Sequence, residues 1–330
     1  MAADDHVPAH LGDGSLQLPL CLLHARGGLP RGERDALLTF EEIERFVAIM
    51  AARGVRRIRI TGGEPLVRKG VVELIRRIAQ TPGIEQVALT TNGHLLDRLA
   101  APLFAAGLRG LNVSIDTFDP DRFAAITRGG DLATVLRGLA AAEAAGFTDV
   151  RINAVAARGV NDGEIADFVE RCWEQGWLPR FIELMPIGGL DFQAESRRLD
   201  TDALLAAIQV RHPLQAVGRA CGSLPRGPAC YHVVTEGPWR GRQVGLISPM
   251  SDDGFCGACN RARLTARGGL RACLADDREV PMLQALRDGA PRARIDQLID
   301  DAVYGKREAH RMAGAADGFV PLAVMTGIGG

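Results

Sequence analysis

Between Leu37 and Pro186 the apolar positions of this chain switch repeatedly between a helical spacing and an extended one. The stretch LLTFEEIERFVAIMAARGV opens with Thr39 and Glu42 at capping-box spacing, sets Ile43, Phe46, Val47 and Met50 on one face, and stops at Gly54. That pattern predicts a helix. RRIRITGG follows as a strand, then helix VVELIRRIAQ, strand QVALTTNG, helix HLLDRLAAPLFAAG and strand GLNVSID. Helix LATVLRGLAAAEAAG, strand DVRINAVAA, helix EIADFVERCWEQG and strand LPRFIELMP continue the alternation. Strands this apolar cannot keep one face in water, so the pattern predicts an α/β fold with a parallel sheet covered by helices. Five strands follow residue 55, and a sixth is expected before the first helix, within residues 12–30. The strands end in small or polar residues, at TGGEP, TTNG, SID, NAVAARG and IELMP. Ligands of parallel α/β folds gather at the carboxyl ends of strands, so these ends predict one shared site.

After about residue 188 the rhythm gives way to an irregular segment rich in Gly, Pro and Arg, then to RQVGLISPMSDDGFCGACNRARLTARGGLRACL and a closing helical stretch. The chain divides into an N-terminal segment (1–30), a βα region (31–188) and a C-terminal region (189–330) that completes the second and does not stand alone.

Charge balances to a net of −1 over 330 residues, which predicts no nucleic-acid partner and no membrane surface. Any phosphate must then be held by locally placed arginines. No apolar run approaches the roughly 20 residues of a membrane span. The opening MAADDHVPAH is acidic where a signal peptide is basic, so a cytoplasmic location is expected. Seven unevenly spaced cysteines in such a chain point to metal or redox chemistry over a disulfide framework.

Cys256 and Cys259 form a CxxC, and Cys273 follows after thirteen residues. Three cysteines can hold an iron-sulfur cube with one iron left open; the alternative is a closed zinc site completed by His232 or a distant cysteine. Arg261 and Arg263 lie inside that cysteine loop and alternate in an extended segment, an arrangement suited to a polyphosphate or carboxylate, or simply to a solvated strand. Arg57 and Arg59 alternate with Ile58 and Ile60 on a core strand, and Arg151 and Arg180 repeat the theme. Each alone is satisfied by a structural ion pair. Together they could surround a triphosphate. Gly62 and Gly63 end their strand without side chains, which lets a ligand approach the backbone or merely makes a turn.

IRITGGEPLVRKG, LTTNG, LNVSIDTFDPDRFAAITRGG, RINAVAARGVND, RFIELMPIG, LISPMSDDGFCGACNRARLT and the terminal GG together resemble the radical S-adenosylmethionine GTP 3',8-cyclases of molybdenum-cofactor biosynthesis, the MoaA family. The likeness runs from about residue 37 to 275. It implies an incomplete (β/α) TIM-type barrel with two [4Fe-4S] clusters. One cluster cleaves S-adenosylmethionine to a 5'-deoxyadenosyl radical, which takes hydrogen from the GTP ribose C3' so that this carbon attacks C8 of guanine; the other holds the purine at its open iron. By the resemblance, Cys256, Cys259 and Cys273 bind the second cluster. Arg59, Thr90, Arg151, Arg180, Arg261 and Arg263 contact GTP, with Arg57 a further phosphate ligand, while Gly63, Ser114 and Met185 contact S-adenosylmethionine. Gly329 and Gly330 match a tail that enters the active site. A reductant for the cluster, cyclic pyranopterin monophosphate synthase as the next enzyme, and a homodimer are the partners implied.

The chain departs from the family in one place. The family's first strand reads LRxSVTDRCNxRCxYCMP, whereas residues 7–25 here read VPAHLGDGSLQLPLCLLHA, with Cys21 as the one cysteine and His24 a poor substitute ligand. Back-translated and displaced by one base, that segment can be read as CLRISVTDRCNCRCAYCMP, the missing motif in register. A frameshift is therefore expected, and with it a product lacking the ligands of the radical-generating cluster, so that no catalytic residue is assigned. A segment out of frame has no alternation to fill the missing strand, so no regular core strand is expected over 10–24. The competing readings are an inactive paralogue that binds GTP and one cluster, and a different radical enzyme acting on a peptide or sugar.

Overall fold

The computed structural model describes residues 17–21, 37–186, 196–221, 224–225 and 227–306. The alternation read from the sequence is realised as strands β1 (Gln17–Cys21), β2 (Arg57–Thr61), β3 (Gln86–Thr91), β4 (Leu108–Ser114), β5 (Asp149–Ala156) and β6 (Leu178–Glu183). Between them run helices α1 (Phe40–Ala52), α2 (Val71–Ala79), α3 (Leu96–Ala105), α4 (Pro120–Thr127), α5 (Leu132–Ala144) and α6 (Ile165–Glu174). The six strands are parallel and lie side by side in chain order, the order of a (β/α) barrel wall. The ends of that wall are not paired with each other, so the barrel is incomplete.

Local chemistry sets the helix starts. The Thr39 hydroxyl accepts from Glu42 N at 3.2 Å while the Glu42 carboxylate accepts from Thr39 N at 2.7 Å, the capping box expected of α1. Asp119 and Asp131 cap α4 and α5 with their carboxylates, which accept from Arg122 N and from Ala133 N and Thr134 N. Strand alternation then sorts the two faces of the wall. Ile58 and Ile60, Val87 and Leu89, Leu111 and Val113, and Ile152 and Ala154 are buried in the apolar core with helix residues such as Phe46, Leu74 and Val169. The intervening positions carry Arg59, Thr90, Asn112, Arg151, Asn153 and Arg180 on the opposite, concave face.

The C-terminal region extends both ends of the wall. After α7 (Thr201–Gln209), strands β7 (Leu214–Gly218), β10 (Cys230–Val234) and β11 (Gln243–Ile247) add beyond β6; a separate ladder joins β8 (Ala220–Cys221) to β9 (Leu224–Pro225). Strands β12 (Arg263–Leu264), β13 (Gly269–Arg271) and β14 (Val280–Pro281) add beyond β1. The link between β11 and β12 must cross from one end of the wall to the other, and it carries Cys256, Cys259 and Arg261. Helices α8 (Leu283–Arg287) and α9 (Arg292–Tyr304) are fastened to α1: Arg45 donates to Leu286 O at 2.9 Å, and Arg53 pairs with Asp296 and Asp300.

One expectation is overturned. Gln17–Cys21 does form a regular strand, in parallel register with β2 from Gln17↔Arg57 to Cys21↔Thr61 and touching β12 at Leu20↔Leu264. The lane between β2 and β12 offers backbone donors and acceptors on both sides, and any extended segment of the right length can pair with them. Pro19 gives up one ladder donor within β1.

Candidate functional site

The concave face is arranged in cross-strand rows. Thr90, Asn112 and Arg151 stand side by side on β3, β4 and β5; Ser114, Asn153, Arg180 and Gly245 do so on β4, β5, β6 and β11. Arg180 is only 1% exposed, and its Nε and Nη2 donate to Asn153 Oδ1 at 2.9 and 2.7 Å. The same Nη2 donates to Asn112 Oδ1 at 2.6 Å, and Arg151 Nη1 reaches that oxygen at 3.5 Å. Asp149 pairs with Arg151 Nη2. Burial and the neighbouring charges of Arg180, Arg151 and Arg261 lower Arg59 to about 9. Burial lowers Arg180 to about 10, with Arg151 adding to the effect and Tyr231 opposing it. Guanidiniums this crowded favour an anion among them.

Gly245 makes room for this arrangement. A Cβ there would stand 2.9 Å from Tyr231 Cε1 and 3.0 Å from Arg180 Cγ.

Above the rows, Cys256, Cys259 and Cys273 line a cavity of about 80 Å³ together with Met185, Phe255, Arg261, Arg263 and Lys306. Burial pushes the Cys259 thiol up, but Arg261, Lys306 and hydrogen bonds from Arg261 outweigh it and hold the group at about 6. A lowered thiol favours the thiolate, the form that binds metal. Burial and the adjacent Cys259 push Cys273 the other way. Burial beside Arg261 lowers Arg263 to about 10. Phe255 has Arg219 on its ring at 5.7 Å and Arg261 at 5.4 Å. Lys306 Nζ donates to Cys259 O at 2.6 Å.

Among the described residues no three His, Cys, Asp or Glu side chains converge on a single metal ion. In a cube each thiolate takes a different iron, so the three need not converge, and the donor set fits a cluster. His232, on β10, is not among the residues lining the cavity.

The strand ends are tied together by two acids, Glu64 half-buried and Glu183 buried. Glu64 accepts from Leu66 N at 3.0 Å, Thr91 Oγ1 at 2.8 Å and Asn92 N at 2.7 Å, joining the ends of β2 and β3. Glu183, at the end of β6, accepts from Met250 N at 2.8 Å and Ser251 N at 3.0 Å, holding the approach to the cysteine loop.

Of the residues singled out by sequence, Arg59, Thr90, Ser114, Arg151 and Arg180 share the concave face, and Met185, Arg261, Arg263 and the three cysteines share the cavity. Gly63 lies past the end of β2, and Arg57 opens that strand at its other end. Cys21 closes β1, while His24, Gly329 and Gly330 lie outside the described residues. Asn112, Asn153, Tyr231, Gly245 and Lys306 had not been singled out. No further cysteine follows Cys21 until Cys172, so the residues after β1 do not fit a second cluster.

Residues 20–172 match the Radical SAM superfamily and residues 179–312 the Molybdenum Cofactor Synthesis C family. The first of these implies a [4Fe-4S] cluster and S-adenosylmethionine as the cofactors of its members. GTP 3',8-cyclase of Heliobacterium modesticaldum is 43% identical over 303 residues, 92% of this chain and 90% of that protein. The enzyme of the same name from Pseudomonas entomophila is 43% identical over 84% of this chain and 81% of its own. Among solved structures, coproporphyrinogen III oxidase from Escherichia coli covers 59% of this chain and 51% of its own at a TM-score of 0.43 and 17% identity. At the level of identity and coverage seen with the curated relatives, the chain belongs to the GTP 3',8-cyclase family of radical S-adenosylmethionine enzymes.

Proposed function

We propose that this chain binds GTP in the concave face, with its triphosphate among Arg59, Arg151, Arg180, Arg261 and Arg263 and with Thr90 alongside, and that Arg57 adds charge from the far end of β2. Cys256, Cys259 and Cys273 hold a [4Fe-4S] cluster whose open iron supplies a Lewis-acidic grip on the purine. Gly63, Ser114 and Met185 form the S-adenosylmethionine side. The reaction of the family is formation of (8S)-3',8-cyclo-7,8-dihydroguanosine 5'-triphosphate, the first step of molybdenum-cofactor synthesis; the gene encodes that reaction, and the chain as written lacks the ligands to begin it. The reading is carried by one observation: Arg261 and Arg263 line the same cavity as three cysteines.

The N-terminal departure is a shifted reading frame in this proposal. The gene decides it, since wobble bases that fail to spell three cysteines in the displaced frame contradict it. The paralogue that binds without reacting is favoured by a separate observation: β1, made from the residues as written, completes the wall. Purified without oxygen, the chain is expected to bind GTP and to form no 5'-deoxyadenosine from S-adenosylmethionine. Restoring the frame should produce both 5'-deoxyadenosine and cyclised nucleotide. Product from the chain as written, or no GTP binding, overturns the proposal. Recovery on restoring the frame separates a lesion from a paralogue.

A cellular reductant, cyclic pyranopterin monophosphate synthase downstream, a homodimer and a cytoplasmic location complete the proposal. Among the described residues no helix is long and apolar enough to cross a membrane.

A further inference from the structure

The buried arginines are aimed chiefly by carboxamides. Asn153 Oδ1 takes two bonds from Arg180, and Asn112 Oδ1 takes one from Arg180 and one from Arg151. Asn112 is itself fixed, because its Nδ2 donates to Leu89 O at 3.0 Å and reaches Thr90 Oγ1 at 3.5 Å. One neutral side chain thus connects Thr90, Arg151 and Arg180. Asp149, on Arg151, is the carboxylate paired with this group among the described residues. Arg180 Nη1, Arg151 Nε and Arg263 Nε are buried there without a hydrogen-bond acceptor.

An amide oxygen and a carboxylate oxygen occupy nearly the same space and accept the same hydrogen bonds, but only the carboxylate cancels the guanidinium's charge. Had the rows served folding alone, Asp at 153 would relieve the buried charge and lower the repulsion between neighbouring arginines, whereas position 112 also needs an amide donor for Leu89 O. We infer that Asn112 and Asn153 are positioning residues that aim Arg151 and Arg180 while leaving their charge for a polyanionic chain, so that binding strength scales with the number of phosphates. For the identity of the nucleotide this rests on the GTP reading; for the charge it rests on the rows alone.

The test uses the full chain purified without oxygen, with inorganic tripolyphosphate and GTP as titrants. Asn153→Asp is expected to weaken tripolyphosphate by about tenfold to a hundredfold, the effect of one added charge a few ångströms from the ligand at a moderate effective dielectric. Its thermal midpoint should match or exceed that of the parent. Asn153→Ser, which removes the acceptor geometry and adds no charge, should lose less than Asn153→Asp. A purely structural role predicts the reverse order, because serine disturbs the packing more. Asn112→Asp should weaken tripolyphosphate in the same direction. Asn153→Asp binding as tightly as Asn153→Ser, or a lowered midpoint for Asn153→Asp, overturns the inference. A parent chain that binds tripolyphosphate but not GTP, with the same order among variants, supports the inference and overturns the nucleotide reading. A parent that binds neither overturns both.

Discussion

Replacing Gly245 with alanine tests how closely the site depends on backbone space. Gly245 lies on β11 opposite Arg180 of β6 on one side and Tyr231 of β10 on the other. The added methyl would meet Tyr231 Cε1 at 2.9 Å, Arg180 Cγ at 3.0 Å and Ala229 Cβ at 3.2 Å. Tyr231 and Ala229 are fully buried, so the neighbour able to give is the flexible Arg180 stem. Moving that stem pulls the guanidinium off Asn153 and Asn112, where it makes three bonds of 2.9 Å or less. Overpacking of this kind costs about 1–3 kcal/mol, and each weakened charge-assisted hydrogen bond adds about 1.5 kcal/mol or more. Urea unfolding should show an unfolding free energy lowered by about 2–4 kcal/mol at unchanged slope. Tripolyphosphate affinity should fall by about tenfold as Arg180 loses its aim. Stability and affinity both equal to the parent's would show that Arg180 is not held as described.

Other expectations follow from single contacts. Lys306→Met removes the donor on Cys259 O and the positive charge beside the thiols, so iron should be lost to a chelator faster than from the parent, measured by absorbance of the chelate. Phe255→Leu removes a ring with arginines on it, each contact worth about 0.5–1 kcal/mol; loosening Arg261 should weaken GTP severalfold in a calorimetric titration. Burial raises the Glu64 carboxyl above its ordinary 4.5 against the pull of its hydrogen bonds. Its stabilising contribution is therefore full below that value and lost as pH rises through the folded value. Glu64→Gln should flatten the decline in unfolding free energy above pH 4.5, measured by urea titration across pH, and an unchanged slope contradicts the assignment.

Elements long enough to show a period were readable from the chain, and α1 even declared its start through Thr39 and Glu42. Helix α4 was not anticipated, although Asp119 before Pro120 is a start signal; its eight residues bury only Phe123 and leave little pattern. Strand β1 was misjudged because a lane between two partners demands less of a sequence than a free-standing strand does. Strands β12 and β14 are two residues each and carry no periodicity to detect. At the site, arginines stood out because a charge on a core strand is anomalous. Asn112 and Asn153 did not, since a neutral amide on a strand is unremarkable until its partners are known. Lys306 was silent for another reason: its partner, Cys259, lies far away in the chain and only folding joins them.

The iron content of the chain, reconstituted without oxygen and purified from excess metal, bears most directly on the central claim. Three cavity cysteines and no N-terminal set predict one cube, about four irons per chain, falling to none in a Cys256→Ser, Cys259→Ser, Cys273→Ser triple variant. About eight irons, or four that survive the triple variant, would contradict the account.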